Sequence, residues 1–255
     1  MIDELTCDLL LFFATSSERD ALQGAAKQRG IPFHRKSHPT LGRFFWMDRI
    51  GDNRVNGVRT EMGPLSHGGS ASQGIFFKGA TGAYAIVQLG MAFGTMPERQ
   101  QPGDVLVSTS ISPYDRRDIR TVGEGYSVDY SPASRHVANP SLLRIFQAER
   151  ERGGHPYHVH LGALLSGSAR IHSRFFRDEL VSLVPAGDDE IVGGEMEGVG
   201  LLSISPADDP AWIVVKGISD FADEDRDSVI ERNRPVACRN AADFVLGALL
   251  NSRHA

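Results

Sequence analysis

Four carboxylates lie close to apolar or glycine-rich segments in the last third of the sequence. Glu195 and Glu197 flank Met196 in the stretch GGEMEGVG, and Asp220 and Asp223 follow the apolar run of VVKGISDFAD. Because an ionised carboxylate accepts two hydrogen bonds, paired carboxylates among glycines suit the recognition of vicinal hydroxyls. A carboxyl group at the end of a buried strand suits a general acid.

Structural roles are the alternative for the same carboxylates. Asp220 or Asp223 could cap the helix that follows the strand. Glu195 and Glu197 could be exposed residues at the start of a helix, where the helix dipole favours negative charge. The residues alone leave both interpretations open.

Apolar runs of strand length alternate with segments of helical periodicity along the chain. Buried strands are predicted for DLLLFFAT, GDVLVSTSIS and AWIVVKGISD, and helices for SSERDALQGAAKQRG and RPVACRNAADFVLGALLNS. This alternation favours an α/β fold with a central, mostly parallel mixed sheet flanked by helices. No repeat or linker interrupts it, so a single domain is predicted over residues 1–255. The polar stretch 115–139 is predicted to be the longest loop.

The composition limits the kinds of partner. The chain has 255 residues, 41% of them hydrophobic, and a net charge of -5 without a long basic stripe, so no nucleic-acid partner is expected. No apolar run reaches the roughly 20 residues of a membrane span, and no membrane partner is expected. Two cysteines, Cys7 and Cys238, provide no disulfide framework and suit a reducing, cytoplasmic location.

Three histidines in HPYHVH are the candidates for a metal site. His158 and His160 share one face of a predicted strand, with His155 nearby. No acidic or cysteine partner lies at ligand spacing, which favours hydrogen-bonded histidines. We therefore expect neither a metal nor another cofactor.

Six segments, in chain order, resemble the nucleoside phosphorylase and nucleosidase superfamily, which includes the methylthioadenosine/S-adenosylhomocysteine nucleosidases. The resemblance spans about residues 8–250, and by analogy of fold it is greatest to the nucleosidase-like effector domains of immunity-type proteins. The segments are ATSSERDAL (14–22), MGPLSHGGSAS (62–72), LGMAFGTMPERQQPGDVLVSTSISPYD (89–115), LLSGSARI (164–171), EMEG (195–198) and ISDFAD (218–223).

The resemblance implies roles for the candidate residues. Asp220 would protonate the departing base, Glu18 would polarise the attacking water, and Glu197 would hold the ribose hydroxyls. Ser219 would help to position Asp220, and Glu195 has less support as a contact and could be structural. The substrate-binding residues implied are Met91, Arg170, Ile171, Glu195, Met196, Glu197 and Ser219.

Departures from the phosphorylase pattern favour water as the nucleophile. Gln88 and Met91 stand where phosphorylases carry the Arg and Ser that hold phosphate, and ATSSE replaces their glycine-phosphate loop. A phosphate dianion would lose its charge-assisted hydrogen bonds there. A purine nucleosidase that releases free base from an adenine nucleoside or nucleotide is therefore predicted. The alternatives are a purine nucleoside phosphorylase and an inactive nucleotide-binding module, and the joint presence of Glu18, Glu197 and Asp220 disfavours the module.

Three further departures concern the base pocket. Lys216 stands where nucleosidases often carry Arg, and Phe93 replaces a glycine. Arg170 stands where many relatives have an aromatic residue, and its planar guanidinium could stack on the base, or an aromatic contact could come from elsewhere.

The segment EDRDSVIERNRP, residues 224–235, is expected to lie near the 5′ end of the substrate. It carries Arg226, Arg232 and Arg234 and little apolar surface for a thioether. These charges could simply face water. Their presence predicts a preference for a 5′-hydroxyl or a 5′-phosphate over methylthioadenosine. The expected partners are this small molecule and further copies of the chain in a homo-oligomer.

Overall fold

A mixed sheet forms the centre of the chain in a computed structural model that describes residues 4–130, 134–185 and 187–252. In these residues the sheet order is β11-β10-β6-β12-β5-β1-β4-β3-β2, with β9 beside β6, while β7 and β8 pair with each other. The strands are β1 Leu9–Phe13, β2 His34–His38, β3 Gly42–Ile50, β4 Asn53–Arg59, β5 Ala85–Gly94, β6 Val105–Pro113, β7 Asp118–Val122, β8 Gly125–Asp129, β9 His136–Val137, β10 Val159–Ser166, β11 Ile191–Glu195 and β12 Trp212–Asp220.

Parallel and antiparallel pairings both occur in this sheet. β1 runs parallel to β4 and β5, β5 to β12, and β10 to β6 and β11. β12 meets β6, and β11 meets β5, in antiparallel pairings. The β11–β5 pairing closes β5, β12, β6, β10 and β11 into a ring. The predicted α/β fold with a central mixed sheet is confirmed.

Helices cover the sheet and begin at residues suited to capping. Thr15 accepts a hydrogen bond from the Glu18 amide at the start of α1, and Asn139 does the same for Leu142 in α3. The helices are α1 Ser16–Gln28, α2 Ser70–Thr81, α3 Pro140–Arg152, α4 Arg174–Leu183 and α5 Arg226–Asn251, with a 3₁₀ helix at Gly198–Ser203.

Strand burial matches the apolar runs read from the sequence. All residues of β1 and β12 are buried, because β1 lies between β4 and β5, and β12 lies between β5 and β6. Helix α5 packs closely on β12: a Cβ at Gly217 would lie 2.0 Å from the Ala237 carbonyl oxygen. The end of β12 that carries Asp220 is therefore packed against α5.

Two polar segments differ from their predictions. The short basic run HRK, residues 34–36, is in sequence more typical of a solvated loop, but it belongs to the exposed edge strand β2. The predicted loop 115–139 contains the β7–β8 hairpin and β9, although residues 131–133 lie outside the described residues. Strand β2 has no apolar residue and the hairpin strands are mostly exposed, so neither segment contains the continuous apolar run by which the buried strands were predicted. The single-domain span of 1–255 stays a prediction, since it also includes residues 1–3, 186 and 253–255, which are not described.

Candidate active site

One cavity of about 300 Å³ brings together the residues predicted to act on substrate. It lies at the ends of β1, β5 and β12 and against the segments that follow β4, β10 and β11. All nine predicted site residues line it, namely Glu18, Met91, Arg170, Ile171, Glu195, Met196, Glu197, Ser219 and Asp220.

Glu18 lies in the first turn of α1 and is only 2% exposed. One carboxylate oxygen accepts hydrogen bonds from the Ala14 and Thr15 amides, both at 2.8 Å. The other oxygen accepts one from the Met91 amide at 3.0 Å. A capping box with Thr15 fixes the same turn. Three backbone donors therefore hold a negative charge at the cavity wall.

The glycine turn of β5 leaves the space that Glu18 occupies. A Cβ at Gly90 would lie 2.1 Å from the nearer Glu18 carboxylate oxygen. Glycine is therefore required here by the approach of a catalytic candidate.

Glu197 is buried beside a fully buried cation. One oxygen accepts a hydrogen bond from the Gly63 amide at 3.1 Å, and the other lies 2.8 Å from Lys216 Nζ. Burial alone would lower the pKa of Lys216, but the charges of Glu197, Glu195 and Glu18 outweigh burial and raise it. Lys216 is thus a structural cation that compensates the cluster of carboxylates.

The oxygens of Glu195, a predicted substrate contact, are engaged within the protein. Its side chain is completely buried and accepts hydrogen bonds from the Ser166 hydroxyl at 2.6 Å and from the Glu197 and Gly198 amides at 2.9 Å. Lys216 Nζ lies a further 3.5 Å from it. With its oxygens already engaged, Glu195 positions the turn that presents Met196 and Glu197.

Asp220 ends β12 and is 2% exposed. Its carboxyl group accepts hydrogen bonds from the Ser219 hydroxyl at 2.7 Å and from the Ala222 amide at 3.0 Å. Arg226 Nε lies 3.3 Å from the same group. Asp220 is therefore not the cap of α5, and Asp223 instead accepts a bond from the Asp225 amide in the turn before that helix.

The strand β5 connects the two catalytic candidates. The Met91 amide donates to Glu18, and the carbonyl oxygen of the next residue, Ala92, lies 3.2 Å from the Ser219 hydroxyl oxygen. Any shift of this strand end would move Glu18 and Asp220 together.

The aromatic residue Phe93 also lines the cavity, although in the sequence it was noted only because it replaces a glycine of the superfamily pattern. Phe93 is half-buried, and its ring packs over Gly194, where a Cβ would lie 2.2 Å from the ring.

Arg170 is exposed and lies 3.6 Å from the Met62 sulfur, and both residues line the cavity with Ile171. Met62 begins the segment 62–72, which carries part of the family resemblance but was given no site residue from the sequence.

The phosphate-binding positions of phosphorylases are occupied differently here. The Gln88 side chain is fully buried on β5, and neither of its polar atoms has a partner among the described residues. The Met91 amide is already bonded to Glu18. A dianion at this wall would face the Glu18 carboxylate without a cation from either position.

The arginines predicted at the 5′ end divide into two groups. Arg226 and Arg234 line the cavity with Ile230, whereas Arg232 is exposed and does not line it. Arg226 is engaged by Asp220 and by the His172 ring nitrogen at 3.3 Å.

The histidine cluster pairs with an acid that the sequence spacing did not reveal. Asp104, buried immediately before β6, lies 2.9 Å from His160 Nε2 and 3.7 Å from His158 Nδ1. Within the described ranges no group of three or more His, Cys, Asp or Glu residues could hold a metal ion. The described helices likewise include none that is long and apolar enough to cross a membrane.

Two curated nucleosidases are similar to this chain in sequence. A 5′-methylthioadenosine/S-adenosylhomocysteine nucleosidase of Haemophilus ducreyi is 24% identical over 166 residues, which are 65% of this chain and 68% of that protein. A death domain-containing ATP nucleosidase of Amphimedon queenslandica is 26% identical over 191 residues, covering 66% of this chain but 34% of the longer relative.

Solved structures share the fold over almost the whole chain. A methylthioadenosine/S-adenosylhomocysteine nucleosidase of Neisseria meningitidis, in complex with methylthio-immucillin-A, has a TM-score of 0.76 at 17% identity and covers 96% of this chain and 99% of its own. Futalosine hydrolase of Helicobacter pylori has a TM-score of 0.74 at 18% identity, with coverages of 94% and 96%. The sequence model of the phosphorylase superfamily matches residues 9–250, and the chain belongs to this superfamily.

Proposed function

We propose that the chain is a purine nucleosidase, an N-glycosidase that uses water to release the base from an adenine nucleoside or nucleotide. The observation that carries the proposal is that Glu18, Glu197 and Asp220 are buried, fixed and line one cavity. The activities of the similar nucleosidases and of futalosine hydrolase agree with it.

Asp220 supplies the proton for the leaving group. As the bond between ribose C1′ and the base nitrogen breaks, the electron pair goes to the base, and the Asp220 carboxyl donates a proton to a ring nitrogen. The Ser219 hydroxyl, the Ala222 amide and Arg226 then stabilise the carboxylate that remains.

Glu18 acts on the water that attacks the resulting sugar cation. The water oxygen forms the new bond to C1′, and Glu18 accepts one of its protons. Because three backbone amides hold this carboxylate, its orientation is set before substrate arrives.

Glu197 binds the ribose. Each of its oxygens has one protein partner, Gly63 or Lys216, which leaves lone pairs for the 2′- and 3′-hydroxyls. Met196 lies beneath the sugar, and Ile171 and Phe93 border the base.

The phosphorylase alternative would need an anion site beside C1′. The Glu18 carboxylate bounds that side of the cavity, and Gln88 and Met91 provide no charge there. Repulsion between Glu18 and a phosphate dianion supports water as the nucleophile.

The proposal extends to the 5′ end, where a hydroxyl or a phosphate is favoured over a thioether. Arg226 and Arg234 line the cavity and can bind phosphate oxygens. The similarity to an ATP nucleosidase supports this preference.

A panel of nucleosides and nucleotides, assayed for free base with and without phosphate, tests the proposal. Adenosine, AMP, ATP and methylthioadenosine should be compared by kcat/KM. Base release without phosphate, with the thioether the poorest substrate, is expected. A strict requirement for phosphate would overturn the hydrolase proposal, and a clear preference for methylthioadenosine would overturn the 5′ preference.

A further inference from the structure

A second cavity, of about 830 Å³, adjoins the active-site cavity. The two share Ala14, Thr15 and Met62 as lining residues. We name the second cavity the arginine groove because four arginines line it, namely Arg19, Arg35, Arg43 and Arg59.

The sheet register places three of these arginines on one face. Arg35 lies opposite Phe45, and Phe45 lies opposite Gly57. Since residues two apart in a strand share a face, Arg43 joins Phe45, and Arg59 joins Gly57. The floor between them is apolar, because Phe33 stacks on Phe45 with ring centroids 4.7 Å apart.

The positive charge of the groove is largely uncompensated. The side chains of Arg35, Arg43 and Arg59 form no ion pair or hydrogen bond with other described residues. Arg19 pairs with Asp20 on its outer side, and Glu61 is the single acidic residue among those that line the groove. Clustered like charges repel one another, so this arrangement favours a multiply charged anion.

A buried hydroxyl provides an independent indication of a ligand. Thr60 follows β4, lines the groove and is only 3% exposed. Its hydroxyl has no hydrogen-bond partner among the described residues. A buried polar group without a partner is unfavourable, and a phosphate oxygen at this point would satisfy it.

We propose that the arginine groove binds the phosphate chain of a 5′-polyphosphorylated nucleoside whose base and ribose occupy the active-site cavity. The inference rests on the proposed nucleosidase function, which places the nucleoside next to the shared wall of Thr15 and Met62. A triphosphate carries several negative charges, and arginine binds phosphate bidentately, so the groove matches it in charge and in chemistry. These arginines are separate from Arg226 and Arg234, which line the nucleoside cavity itself.

The test compares ATP with adenosine in an Arg43→Ala/Arg59→Ala double variant. Loss of charge-assisted hydrogen bonds should lower kcat/KM for ATP by about 10- to 100-fold and change that for adenosine less than about twofold. The adenosine rate also shows that the variant is folded. Arg239→Ala, which removes an exposed arginine of α5 that lines neither cavity, is the matched control. It should leave kcat/KM unchanged for both substrates.

Inorganic tripolyphosphate distinguishes a phosphate subsite from a general effect of charge. It should inhibit ATP cleavage by the wild-type protein competitively, and it should inhibit the double variant far less. Unchanged kcat/KM for both ATP and adenosine in the double variant would overturn the groove proposal and leave the nucleosidase proposal standing. Equal loss for both substrates would also overturn the groove proposal, since it would show damage to the nucleoside site.

Binding measurements separate this proposal from the proposed function. If the wild-type protein released no base from any substrate, the nucleosidase proposal would fail. Equilibrium binding of ATP would then decide on the groove: loss of ATP affinity in the double variant, with Arg239→Ala unaffected, supports it, and unchanged affinity overturns it.

Discussion

The three buried carboxylates proposed to act on the substrate line one cavity but have different surroundings. Glu18 accepts three backbone hydrogen bonds, Glu197 faces the buried Lys216, and Asp220 is held by Ser219 and Ala222. These surroundings suit three tasks in one reaction: water activation, ribose binding and protonation of the base.

Asp220→Asn tests the proton donor. An amide cannot donate the proton that makes the base a good leaving group, so kcat should fall by about 10² to 10⁴. The melting temperature should stay close to that of the wild type. Asp223→Asn, three residues along and outside the cavity lining, is the control and should keep near-normal kcat. Near-normal turnover of Asp220→Asn would show that Asp220 is not the acid.

Glu197→Gln tests the ribose contact. The amide makes weaker hydrogen bonds to hydroxyls than the carboxylate does, so kcat/KM should fall more for a ribonucleoside than for its 2′-deoxy analogue. Because both substrates are measured on one variant, any effect on stability cancels. Equal losses would indicate that Glu197 does not contact the sugar.

Lys216→Met tests the buried cation. Removing it leaves Glu195 and Glu197 buried without their counter-charge, and breaking such a pair typically costs about 3–5 kcal/mol of unfolding free energy. Lys216→Arg keeps the positive charge, so its free energy of unfolding should fall less. Urea unfolding at neutral pH measures the stability of both variants. A Lys216→Met protein as stable as the wild type would contradict the role of Lys216 as a structural cation.

The sign of the pH dependence follows from the raised pKa of Lys216. Its stabilising contribution is complete below the unfolded pKa of about 10.4 and is lost as pH rises through the higher folded pKa. Titration of Lys216 should therefore leave the difference in unfolding free energy between the wild type and Lys216→Met unchanged near neutral pH. The difference should shrink only at strongly alkaline pH.

At the scale of elements, the end of β5 is the part that aligns the catalytic candidates. Gly90→Ala would place a Cβ 2.1 Å from a Glu18 oxygen and displace that carboxylate. A displacement of about 1 Å can cost about 100-fold in rate, so a loss of this order in kcat is expected. Gly79→Ala, in α2 with no atom within 4 Å of the added Cβ, is the control. Wild-type kcat in Gly90→Ala would contradict the alignment by β5.

The elements that the sequence revealed are those with a strong apolar signal. β1 and β12 are buried throughout and read as continuous apolar runs, and α1 has a helical pattern that ends before Gly30. The exposed strand β2 and the glycine-rich strand β11 carry no such signal. Their place in the sheet is decided by long-range pairing, which local patterns do not contain.

At the scale of the whole molecule, closure of the strand ring assembles the site. The pairing of Phe93 with Gly194 brings the end of β11, and with it Glu195 and Glu197, beside the end of β5. The sequence motifs predicted nine site residues, and all nine line the cavity. They could not reveal that the Glu195 oxygens are already engaged, or that Phe93 and Met62 border the cavity, because these facts depend on three-dimensional packing.

The identity of the nucleophile is the most direct test of the account. The wild-type protein would cleave adenosine in H₂¹⁸O that also contains phosphate, and the sugar product would be analysed by mass spectrometry after a rapid quench. Since Glu18 bounds the cavity where a phosphate would have to bind, we expect free ribose that carries ¹⁸O at C1, together with adenine. Ribose 1-phosphate without the label would contradict it.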